Sequence, residues 1–127
     1  MAEQIEWSFN ARLVDGPSIS YSGKFDVEAY DKFEIEIDAS AGPAVDKAVD
    51  VQPGGGVQFL LITASAYDPP LTYEVDGGAT HDLDAPVALV GSGAVNAFSA
   101  TQNQIEFHNV HTEARTVEML VGRSVAP

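Results

Sequence analysis

Apolar and polar residues alternate with a period of two along most of this chain, and no long segment repeats every 3.6 residues. Ile5, Trp7, Phe9, Ala11 and Leu13 interleave with Gln4, Glu6, Ser8, Asn10 and Arg12, and Ile19, Tyr21, Gly23, Phe25 and Val27 interleave with Ser18, Ser20, Ser22, Lys24 and Asp26. Asp15-Gly16-Pro17 separates the two runs, which predicts an antiparallel hairpin with its apolar faces turned to the core. A third strand spans Lys32 to Asp38, with Phe33, Ile35 and Ile37 inward and Glu34, Glu36 and Asp38 outward to water. Ala39 to Ala44 reads as a loop and Asp46 to Val51 as a short strand.

Val57 to Tyr67 departs from the alternation, because both of its faces are apolar or small. Phe59, Leu61, Thr63, Ser65 and Tyr67 share one face, and Leu60, Ile62, Ala64 and Ala66 share the other. Pro53-Gly54-Gly55-Gly56 and Asp68-Pro69-Pro70 bound it, so it reads as a central strand covered on both sides. The three glycines read as a flexible tip, the alternative being a positive φ, a bulge or a close backbone contact. Short strands are expected at Leu71–Val75, Val87–Val90, Ala94–Phe98, around Ile105–Phe107 and at Thr116–Arg123, with Thr80–Pro86 irregular. The pattern therefore predicts an all-β chain forming one domain over residues 1–127. Its expected architecture is an antiparallel two-sheet sandwich or jelly roll of about eight to nine short strands.

Composition narrows the partners. Nineteen acidic against six basic residues give a formal charge of −13, which disfavours nucleic acid and anionic membrane surfaces. Such a surface suits solubility or docking on a basic partner. There is no cysteine, so disulfides and thiol chemistry are excluded. Met1-Ala2-Glu3-Gln4 lacks the basic and apolar regions of a secretory leader, so the chain is expected to be made and used in the cytoplasm or packed into a particle, such as a virion, assembled there.

No motif carries catalysis. His108 and His111 lie three apart, which on a strand turns them to opposite faces unless a turn at Asn109–Thr112 intervenes. Asp76, Asp82 and Asp84 offer carboxylates for calcium but not the spacing of a calcium-binding loop. Gly91-Ser92-Gly93 is not a nucleophile elbow, and Gly54–Gly56 precede neither Lys-Ser/Thr nor a helix. Trp7, Tyr21 and Tyr73 fall on apolar faces that suit core packing, leaving Tyr30 and Tyr67 as rings for a sugar-binding module, calcium-assisted or not. No catalytic residue, cofactor or metal ligand set is nominated.

Pro53-Gly54-Gly55-Gly56-Val57-Gln58-Phe59-Leu60-Leu61-Ile62 and Val117-Glu118-Met119-Leu120-Val121-Gly122-Arg123, in a short, acidic, cysteine-free all-β chain, resemble the small structural proteins of tailed-phage virions. Capsid decoration or cement proteins are the nearest of these. The resemblance implies a non-enzymatic protein that trimerises on a capsid shell and stabilises it. The residues expected to meet partners are the acidic face Glu34, Glu36 and Asp38 and the apolar face Phe59 and Leu61, with charged rims setting register. A carbohydrate-binding module is the alternative.

Overall fold

The computed structural model describes residues 3–27, 29–51, 56–98 and 104–123, which form ten strands and one short helix. Strands β1 (Glu3–Arg12) and β2 (Ser18–Val27) form a hairpin of their own. The other strands are β3 (Ala29–Ile37), β4 (Val45–Asp50), β5 (Val57–Ala64), β6 (Leu71–Val75), β7 (His81–Leu83), β8 (Val87–Val90), β9 (Gln104–Asn109) and β10 (Arg115–Arg123). They build two four-stranded sheets, ordered β3-β10-β5-β8 and β4-β9-β6-β7, and every pairing is antiparallel. The chain crosses repeatedly from one sheet to the other, so that facing strands are sequence neighbours: β3 with β4, β5 with β6, β7 with β8, β9 with β10. That order is a jelly roll.

Register sorts each strand into an inner and an outer face. In the first sheet Ile37, Val117, Met119, Val121, Leu60 and Ile62 point inward. Val49, Leu71, Tyr73, Leu83, Ile105 and Phe107 meet them from the second. Burial raises the pKa of the Tyr73 hydroxyl, with the charge of Asp84 adding to it, so the ring stays neutral in the core. Two buried arginines close the ends of β10. Arg115 reaches Glu113 and the carbonyl of Pro69, while Arg123 donates to the carbonyl of Val51 and pairs with Asp31. The expected central strand is central, hydrogen-bonded to β10 on one edge and β8 on the other. It ends at Ala64, where the Tyr67 hydroxyl accepts the Ala64 N–H.

Three expectations are corrected. Ala94–Phe98 is not a strand but part of helix α1 (Ser92–Phe98), which starts where Gly91 takes φ 93° and its carbonyl accepts the Val95 N–H. Alanines and a single buried anchor, Val95, suit a helix of about two turns packed against β5 and β8. His81–Leu83 is a strand, because pairing of Leu83 with Leu71 buries the leucine. The hairpin does not face the core, as the next section describes. Pro53, Gly54 and Gly55, expected as a flexible tip, lie outside the described residues; Gly56 adopts φ 72°.

Candidate interaction surface

Leu13 to Pro17 turns the hairpin. Asp15 takes φ 61°, the Gly16 N–H donates to the Leu13 carbonyl, and the Leu13 N–H donates to that of Pro17. Ten paired positions follow from Glu3↔Val27 to Arg12↔Ser18, roughly 30 Å of two-stranded ribbon. Ile5, Trp7, Phe9 and Ala11 share a face with Tyr21 and Ile19. Trp7 lies across Gly23, where a Cβ would come within 2.8 Å of the indole, and it stacks on Tyr21 at 5.6 Å. Phe9 completes the aromatic row at 5.7 Å from Trp7.

Only the base of this face is covered. Ile5 and Val27 sit on Gly122 of β10 beside Phe59 of β5, closely enough that a Cβ on Gly122 would lie 2.5 Å from Ile5 Cδ1. Beyond the base the hairpin pairs with no other described strand. Phe9 is 44 % exposed, Tyr21 69 %, Ile19 75 %, Leu13 66 % and Val14 87 %. The expectation that both apolar faces turn to the core, and that Tyr21 is a core residue, is therefore corrected; Trp7 is half-buried within the hairpin and lies outside the sandwich core. The alternation reports a face that avoids water, and here most of that face has no cover among the described residues.

The outer face of the β3-β10-β5-β8 sheet continues from the hairpin base. Tyr30, Gly122, Phe59 and Val90 form its first row, and Lys32, Leu120, Leu61 and Ala88 the next. A shallow cleft of about 300 Å³ runs between the two, lined by Gln4, Ile5, Glu6, Val27, Tyr30 and Leu120. Further along, the rows turn acidic, with Glu34 beside Glu118 and Glu36 beside Thr116.

The expected contact residues thus divide. Glu34 and Glu36 are exposed on this outer face, and Leu61 is half-buried on it two rows or fewer away. Asp38 is exposed just past the end of β3, where its carbonyl accepts from Asn109. Phe59 points the same way as Leu61 but is only 5 % exposed, since the hairpin base lies over it. Tyr30 and Tyr67 do not come together: Tyr30 pairs with Gly122 at one end of the sheet, and Tyr67 follows Ala64 at the other. His108 and His111 are also apart in role, with His111 Nε2 at 2.9 Å from the Pro70 carbonyl. Asp76 Oδ1 accepts the Gln104 N–H, and Asp84 lies beside Tyr73, so Asp76, Asp82 and Asp84 do not form one ligand shell. The residues that sequence reasoning missed are Leu13, Val14, Ile19 and Phe9. Their signal was present, two long apolar–polar strands at one end of the chain, but it is the same signal that a core hairpin gives.

Among the described residues, no helix is long and apolar enough to cross a membrane. No family model, curated protein or solved structure matches the chain.

Proposed function

We propose that this chain is a structural protein that self-associates through the β1–β2 arm and packs into a larger protein assembly. Decoration of a virion shell is its most specific form. The jelly roll alone does not choose this, since capsid and sugar-binding domains both use it. The observation that carries the reading is the arm, a ribbon with open edges whose aromatic and aliphatic face runs out beyond its seat on Gly122. Two-stranded hairpins are marginal in water, and large apolar side chains left in it are unfavourable. Covering Ile19, Tyr21 and Leu13 stabilises an assembly by about 1.5–3 kcal/mol for each side chain fully buried.

The occupant proposed is a second copy of the chain. Its own outer sheet face supplies Leu61, Leu120, Ala88 and Val90 as an apolar counterpart. Heterologous arm exchange of this kind closes into a ring when the rotation permits, which accords with the trimer expected from the resemblance. Light scattering after gel filtration tests it. The native chain is expected to run as a discrete oligomer, and an Ile19→Ser/Tyr21→Ser variant as a folded monomer. A native chain that is monomeric at every concentration would refute self-association.

A further inference from the structure

The outer face of the second sheet carries a different chemistry. Its outward residues are Asp46, Ala48 and Asp50 on β4, Gln104, Glu106 and His108 on β9, Thr72 and Glu74 on β6, and Asp82 on β7. None is a lysine or arginine. Two of the five acids here, Asp46 and Asp50, have hydrogen-bond partners on the neighbouring strand. Asp50 accepts from the Gln104 side chain, and Asp46 Oδ1 lies 2.6 Å from His108 Nδ1. Glu74 and Glu106 differ from these in placement. The register sets them directly opposite each other on the two interior strands of the sheet, both partly buried. Like charges so placed are destabilising, and among the described residues no lysine or arginine forms an ion pair with them, the nearest basic side chain being the His108 imidazole.

We infer that Glu74, Glu106 and His108 form a binding site for a divalent first-row transition cation such as Zn²⁺ or Mn²⁺. The imidazole separates this trio from an ordinary acidic surface. Asp46 fixes Nδ1 as the protonated nitrogen, which leaves the Nε2 lone pair directed at the two carboxylates, 3.6 Å from Glu106 Oε1 and 4.0 Å from Glu74 Oε1. One ligand atom from each of the three lies within 4.8 Å of the others. Bonds of about 2.0–2.2 Å to nitrogen and oxygen require small side-chain movements and no change of backbone. A carboxylate behind a ligating histidine is the usual outer partner of such a site, since it orients the ring and raises its basicity. A mixed nitrogen–oxygen set selects against magnesium and calcium, which prefer oxygen alone. Three protein ligands leave open positions for water or for a group from a neighbouring molecule. A cation here also cancels the Glu74–Glu106 repulsion, so binding and stability are coupled.

The test is titration of the chelator-treated full chain with ZnCl₂ and, as control, MgCl₂, followed by calorimetry and thermal melting. About one equivalent of Zn²⁺ is expected to bind and to raise the melting temperature, with no comparable effect of Mg²⁺. Glu106→Gln removes the repulsion as well as a ligand. Its metal-free form is therefore expected to melt above the native chain and to gain nothing from Zn²⁺. Asp46→Asn is expected to bind Zn²⁺ about tenfold more weakly. If Mg²⁺ matches Zn²⁺, or if Glu106→Gln and His108→Asn bind it as the native chain does, the cluster is an imidazolium among carboxylates only and the inference fails.

Discussion

Asn109 shows how much one polar side chain can fix. It is fully buried where β9 gives way to the turn into β10. Its amide donates to the carbonyls of Asp38 and Glu113, and its oxygen accepts the His111 N–H. Three backbone groups from two connections are thereby satisfied away from water, where an orphaned group costs about 1–3 kcal/mol. Asn109→Ala is expected to lower stability by about 2–4 kcal/mol, seen as a lower urea midpoint at constant slope. Asn109→Asp, with the same outline, replaces two donors by acceptors and is expected to cost at least as much. A midpoint that Asp leaves unchanged would show that the side chain is not the organiser of this corner. From the sequence, Asn109 was legible only as a residue that permits a turn. Its real role depends on Asp38, 71 positions away, which no local pattern brings near.

At the scale of elements, the period-two pattern located the strands well, because alternation is what a half-buried strand requires. It also found the run Val57–Tyr67, whose Val57–Ala64 part is β5, as central from its two dry faces. It could not place the hairpin, since alternation says that a face is dry and not what dries it. It missed α1, whose seven residues are too few to show a helical period. It missed the Glu74–Glu106–His108 trio because the two glutamates meet only through the β6–β9 register, 32 residues apart in number and adjacent in space. The junction of arm and sandwich yields its own prediction. Ile5 settles directly on Gly122 of β10, so Gly122→Val, a good strand former, is expected to keep the sandwich but lift the arm. The loss of stability is expected to be about 1–3 kcal/mol, typical of overpacking. Trp7 is the only tryptophan, so its fluorescence anisotropy reports the arm directly. A fall in anisotropy with unchanged far-ultraviolet dichroism is the expected outcome. An unaltered anisotropy would mean that the arm is held elsewhere.

The charge of the whole molecule decides how its assembly should respond to salt. Of the six cationic side chains, Arg115 and Arg123 are buried, so only Arg12, Lys24, Lys32 and Lys47 are exposed in a chain that carries nineteen acids. Two copies therefore repel each other, while the arm offers attraction that is apolar and indifferent to screening. Raising the ionic strength from about 0.01 M to about 1 M shortens the screening length from roughly 30 Å to roughly 3 Å. The proposed self-association is then expected to tighten on the order of tenfold, as about 1.4 kcal/mol of repulsion is removed. Docking of Glu34, Glu36 and Asp38 on a basic partner has the opposite sign, because screening weakens an attraction between unlike charges. Sedimentation of the isolated chain across that salt range separates the two forces. Tightening with salt that disappears in Ile19→Ser/Tyr21→Ser assigns the seam to the arm. Loosening with salt would place charge, and not the apolar face, at the centre of the assembly.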